Sequence, residues 1–164
     1  MKKTVFSVLL TSLLSLQGLQ AADLNSLSTT YDATARYEMS ENDVKSFVYQ
    51  WFAAFDHQRE SGYFLNRIAQ PIQMQYPEFP IASQEDFLRW YQGVTDNIVW
   101  NAHSIQGMKV TGEQQNGWSV TYDVNWKATS KDGQKHNVMV HQELRVIRIG
   151  DALKLAQLEA KVIQ

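Results

Sequence analysis

The stretch WSVTYDVNWKATSKDGQKHNVMVHQELRV, residues 118–146, decides the fold. Trp118, Val120, Tyr122, Val124 and Trp126 alternate with Ser119, Thr121, Asp123 and Asn125. That two-residue period belongs to a strand with one buried and one wet face. A second strand follows the turn SKDGQ. A two-residue loop at Asp132-Gly133 would set Trp126 opposite Met139 and Tyr122 opposite Glu143, mixing apolar and charged residues along the hairpin. A three-residue loop, Lys131-Asp132-Gly133 with Gly133 left-handed, sets Trp126 opposite Val138, Val124 opposite Val140, Tyr122 opposite Gln142, Val120 opposite Leu144 and Trp118 opposite Val146. A slip of one residue flips every side chain, so the matched faces select the three-residue loop.

In this register Asp123 and His141 meet on the polar face. They read as a cross-strand pair contributing from a few tenths to about 1 kcal/mol, not as a catalytic dyad. Gln142 is the odd residue on the apolar face. Its amide is either satisfied in the core by Tyr122 or is the polar contact of a pocket.

Outward from the hairpin, residues 152–163 read as a further strand after the Gly150-Asp151 turn. NIVWNAHSI and GMKVT, from residue 97 to 111, read as one long strand with a bulge at Gly107. Upstream, Ser40-Glu41-Asn42-Asp43 is a helix start, with an acid three residues after Ser. Val44, Phe47, Val48, Trp51, Phe52 and Phe55 then trace one apolar stripe, and the helix is expected to run to near Gly62. YFLNRIA (63–69) reads as a short second helix stopped by Pro71. IQMQY (72–76) reads as a strand and PEFP as a loop. Ser83 to Asp86 repeats the capping pattern and opens a third helix expected to end at Gly93. Helices followed by a run of strands imply an α+β domain, with helices on one face of the sheet.

The first residues stand apart from the fold. Met1-Lys2-Lys3, an apolar run from Val5 to Leu16 and small Ala21 and Ala22 make the pattern of a cleavable secretory signal, residues 1–21. The apolar run is shorter than the roughly 20 residues that span a bilayer. A periplasmic or secreted protein is therefore expected, with no membrane association after cleavage. Residues 22–40 read as a polar arm or linker, and 41–164 as the domain. The chain has no Cys, so thiol chemistry and disulfides are excluded. With 15 basic and 17 acidic residues, no basic patch stands out and nucleic acid is not an expected partner. The scattered His residues make no metal-ligand cluster, and no H-E-x-x-H, G-x-S-x-G, P-loop or dinucleotide fingerprint is present. No metal or cofactor is expected.

The first helix VYQWFAAFD, the strands AHSIQGMKV and YDVNW, and HQELRVIRIGDALKL near the end resemble the nuclear transport factor 2-like superfamily, most closely its SnoaL-like branch. The resemblance covers about Asp43 to Val162. It implies a cone built from three helices and a curved, mainly antiparallel sheet, often holding a small apolar ligand, and often a homodimer. The superfamily's isomerases need a Tyr in the first helix and two acids. The matching positions here are Trp51, Met74 or a neighbouring Gln, and Gln142. Met and Gln cannot act as a general base.

The expectation is therefore an exported domain that binds a small, largely apolar molecule. Trp100, Trp118, Tyr122, Trp126 and Gln142 are expected to line the cone, with His103 as a polar contact. A lyase, isomerase or cyclase using His103 as acid/base is the alternative. A protein-interaction module is a third. Asp56 and His57, adjacent on the first helix, diverge by about 100° and do not pair with each other. Arg59 continues the stripe and belongs either to the cone's mouth or, more plainly, to a solvated helix end. The facing of His103, which turns on the Gly107 bulge, and of Gln157 and Glu159 is open at this level; a hydrogen-bonded structural histidine is the plainer reading of His103, and Glu159 inside the cone would favour an enzyme.

Overall fold

The computed structural model describes residues 38–163. The expected signal segment and nearly all of the polar arm lie outside the described residues. The elements are α1 (Glu41–Asp56), α2 (Ser61–Leu65), β1 (Met74–Tyr76), β2 (Phe79–Ile81), α3 (Gln84–Asn97), β3 (Ile98–Glu113), β4 (Gly117–Ser130), β5 (Lys135–Ile149) and β6 (Ala152–Val162). The six strands form one sheet in the order β2-β1-β6-β5-β4-β3. Pairing is antiparallel throughout, except that β1 lies parallel to β6 through Met74 and Leu158.

The β4–β5 hairpin has the expected register. Trp126 pairs with Val138, Tyr122 with Gln142, Asp123 with His141 and Trp118 with Val146. Gly133 takes φ +85°, and its N–H donates to Ser130 O at 2.9 Å to close the three-residue loop. Gly107 takes φ +62°, and the β3–β4 register shifts between Gln106 and Lys109, which is the expected bulge. A second bulge lies at Val99, between the pairs Ile98–Ser130 and Trp100–Thr129.

Three boundaries differ from the sequence reading. α1 ends at Asp56, short of Gly62, because Gln58 adopts φ +46° and the chain turns there. α3 runs through Gly93 to Asn97, since one exposed Gly costs only about 1 kcal/mol relative to Ala. PEFP is not all loop: Phe79-Pro80-Ile81 forms β2, an edge strand where Pro is tolerated.

The stripe of α1 lies against the sheet's inner face. Val44, Phe47, Val48, Trp51, Phe52 and Phe55 share one buried cluster with Val120, Tyr122, Val124, Leu144, Val146 and Leu158. Capping sets both long helices. At α3, Asp86 N–H donates to Ser83 Oγ and Ser83 N–H donates to Asp86 Oδ2, each at 3.1 Å.

Candidate functional site

The residues expected to line the cone divide into three groups. Trp118, Tyr122 and Gln142 are on the inner face but sealed in the core, at 1%, 2% and 5% exposure. Tyr122 Oη donates to Gln142 Oε1 at 2.8 Å, so the odd amide oxygen is satisfied within the protein. Burial, together with the neighbouring Tyr76, holds the Tyr122 phenol well above its ordinary range. The Trp51 indole N–H is buried beside the Tyr76 phenol, outside bonding geometry. Trp126 is half-buried on the inner face, opposite His103 and Val138. Trp100 is a correction. The Val99 bulge and the strand alternation put it on the outer face, opposite Thr129, at 53% exposure, so it does not line the cone.

His103 faces inward. Its ring packs on Phe52 and Phe55, with centroids 4.9 and 6.2 Å away. Asp56, the last residue of α1, meets it: His103 Nδ1 lies 2.6 Å from Asp56 Oδ1, and the His103 backbone N–H donates to Asp56 Oδ2 at 3.3 Å. A carboxylate can only accept, so a neutral His103 carries its proton on Nδ1 and presents a lone pair at Nε2. The His103 side chain keeps 13% exposure, and among the described residues Nε2 has no hydrogen-bond partner. A charged acceptor orienting a histidine whose other nitrogen is free is the arrangement of a general base.

The sequence reading placed His103 among the candidates but missed Asp56. The two lie 47 residues apart, so no local spacing links them. One signal was available: Asp56 continues the Val44, Val48, Phe52 row at steps of four, putting a carboxylate at the end of an apolar stripe.

Around the dyad the inner face is apolar and incompletely covered. Trp126, Val138, Val140 and Ile105 are half-buried, and Val162, paired with Val140, is 56% exposed. Trp126 leans on His136, with ring centroids 5.6 Å apart, while His103 leans on α1. The two rings of this directly opposed pair therefore turn to different neighbours.

The centre of the outer face carries charged and polar pairs. His141 Nδ1 lies 2.7 Å from Asp123 Oδ1 in a pair whose side chains are 35% and 45% exposed, the modest cross-strand interaction expected. Glu159 pairs with Glu143 and is exposed on this face, so it does not enter the cone; Gln157, opposite Arg145, lies there too. A recess of about 550 Å³ lies over this face, with Thr121, Glu143, Arg145, Gln157 and Glu159 in its wall. Arg59 lines a recess of about 320 Å³ with His57 and Tyr63. Among the described residues no cluster of three His, Asp or Glu side chains is placed to hold a metal, and no helix is long and apolar enough to cross a membrane.

No protein-family model matches the sequence, and no curated protein matches it. Solved structures do match the fold. A nuclear transport factor 2-like superfamily protein from Salmonella enterica superposes with a TM-score of 0.67 at 8% identity, covering 75% of this chain and 90% of that one. A hexachlorocyclohexane dehydrochlorinase superposes at 0.66 with 11% identity, over 87% and 90% of the two chains. A protein described as a putative scytalone dehydratase, from Novosphingobium aromaticivorans, gives 0.64 at 9% identity, over 74% and 82%. At these identities the likeness is one of architecture, and that architecture is the nuclear transport factor 2-like fold.

Proposed function

We propose that this chain binds a small, largely apolar molecule at the mouth of its cone and removes a proton from it with His103, oriented by Asp56. The observation that carries this reading is the 2.6 Å contact between His103 Nδ1 and Asp56 Oδ1, which leaves Nε2 unpartnered among the described residues. Trp126, Val138, Val140 and Ile105 supply the apolar wall. The reaction class is elimination. Nε2 takes a proton from carbon, the C–H electron pair becomes the new double bond, and the leaving group departs from the adjacent carbon with its bonding pair. The imidazolium then returns its proton to the leaving group or to water. Two neighbours of the same fold are described as a dehydratase and a dehydrochlorinase, names that denote eliminations, which supports the class without identifying the substrate. Export through the N-terminal segment belongs to the same proposal.

The test needs no knowledge of the leaving group. The protein is incubated in deuterated water with a panel of small apolar carbon acids, and exchange at carbon is followed by NMR. Proton abstraction gives exchange even where elimination stalls. A positioned general base typically contributes 10²- to 10⁴-fold, so His103→Asn is expected to lower exchange by about 10²-fold or more. Equal exchange by the wild type and His103→Asn would sink the proposal.

A second reading is binding without turnover, favoured by the commitment of the Tyr122 hydroxyl to Gln142 Oε1 in the core, which keeps that phenol from a reacting oxygen. That reading predicts ligand-dependent stabilisation with no exchange above the buffer rate.

A further inference from the structure

The joint between α1 and β3 is tied by two side-chain amides, Asn101 from β3 and Gln58 from the turn that follows α1. Asn101, buried at 6% exposure, donates from Nδ2 to Phe55 O at 3.3 Å. Gln58 donates from Nε2 to Ile98 O at 2.7 Å, across 40 residues. Phe55 O, among the last carbonyls of the helix, accepts the Gln58 backbone N–H at 3.0 Å, and Asn101 adds a second bond to the same oxygen. Ile98 O lies beside the Val99 bulge, where the ladder is interrupted. Gln58 holds φ +46°, a left-handed conformation that costs a non-glycine residue energy and persists only where its surroundings fix it.

The placement is what matters. Phe55 precedes Asp56 by one residue, and Asn101 precedes His103 by two on the same face of β3. The Asn101–Phe55 bond and the His103–Asp56 contact are therefore successive ties between the same two elements. A charge-assisted hydrogen bond of 2.6 Å tolerates little displacement, because such bonds weaken steeply with distance and angle. The dyad partners come from a helix end and a strand, joined in sequence only through α2, β1, β2 and α3. Their separation depends on what fixes that helix end against that strand.

We infer that Asn101 and Gln58 are positioning residues for the dyad: they lock the C-terminus of α1 onto β3, and so hold Asp56 against His103 Nδ1. This rests on the proposed role of His103, but its test is spectroscopic and needs no substrate. On ¹⁵N-labelled full-length protein, long-range ¹H–¹⁵N correlations report the tautomer of each of the four His residues. The His103 signals are assigned by their loss in His103→Asn. The wild type is expected to show a slowly exchanging proton on His103 Nδ1.

Asn101→Leu removes the donor while filling the buried site. Gln58→Gly removes the amide but suits the positive φ, which separates the tie from the backbone strain. Both are expected to unfold cooperatively, yet to lose the slowly exchanging Nδ1 proton and show a mixture of tautomers. Val120→Ala, a core truncation on β4, is expected to lower stability while leaving the His103 signals in place. An unchanged His103 tautomer in folded Asn101→Leu and Gln58→Gly overturns the inference and leaves the dyad standing. If Asn101→Leu does not fold, Gln58→Gly decides alone. A wild type lacking the Nδ1 proton overturns the dyad and this inference together.

Discussion

Tyr122 and Gln142 face one another across β4 and β5, and the phenol donates to the amide oxygen at 2.8 Å in a core neither leaves. Each justifies the other's burial. Tyr122→Phe strands a buried acceptor and is expected to cost about 1–3 kcal/mol, whereas Tyr122→Phe with Gln142→Leu is expected to cost clearly less than the sum of the two single changes. Urea denaturation of the double-mutant cycle measures the difference. An additive cycle would show that the bond contributes nothing.

Acid stability has a sign that follows from two carboxyls. Hydrogen bonding to Ser83, then to the Ala82 N–H, holds Asp86 below its usual 3.8. The Gln134 N–H, then Ser130, does the same for Asp132 in the β4–β5 turn. A carboxyl lowered in the folded state stabilises above its ordinary range, and that contribution is lost as pH falls through the lowered value. Stability is therefore expected to drop below about pH 4. Asp86→Asn should flatten this acid limb in melts taken across the range. Ser83→Ala, which removes the cap itself, is expected to cost about 1 kcal/mol at neutral pH.

The alkaline limb runs the other way. Burial pushes Tyr91, whose hydroxyl donates to Arg59 O, up to about 12, from an ordinary 10.0. Tyr122 is raised as well. A phenol raised on folding stabilises fully below its ordinary value, and that stability is lost as pH rises through the folded value. Phenolate absorbance of these two side chains and loss of circular dichroism should therefore appear together. Their ionisation well before unfolding would contradict the burial described.

Gly133 carries the hairpin register. At φ +85° it has open space around its Cβ position, so any penalty for substitution is conformational rather than steric. Gly133→Ala is expected to cost about 1–2 kcal/mol, and Gly133→Asn less, because Asn visits the left-handed region more readily. Equal costs in urea titrations would indicate that the loop changes conformation instead.

Trp100 and Trp126 make opposite predictions about a ligand. A ligand at 100 times its dissociation constant stabilises by about 2.7 kcal/mol. Trp126→Leu is expected to weaken any such thermal shift, and Trp100→Ser, on the outer face, to leave it intact. The reverse pattern would move the site to the outer face.

The hairpin was legible because its evidence is local. A period of two, a Gly-containing turn and five matched pairs admit one register, and the same alternation placed Asp123 and His141 on the wet side. The end of α1 was not legible. The apolar stripe predicts a helix but not its last residue, and nothing in Asp56-His57-Gln58 announces a left-handed Gln58. Asp56 was weighed against its neighbour His57, when its partner His103 is brought to it only by packing α1 on β3. Trp100 was assigned to the cone although His103, three residues on in an unbroken stretch of strand, takes the opposite face; the Val99 bulge, with no Gly to mark it, is what separates Trp100 from the face of Ile98.

The strand order carries a consequence for how the chain assembles. β6 follows every other strand in the chain, yet lies between β5 and β1, so the early β1–β2 hairpin has no neighbour in the sheet until β6 is in place. Bringing Met74 to Leu158 closes the ring around the whole meander, and loop-closure entropy delays contacts of such long separation. The nucleus is thus expected in the β3–β5 meander, whose neighbours are joined by short turns. The hairpin docks afterwards as a separate, slower event, and lesions in β6 cut the sheet in two rather than trimming its edge.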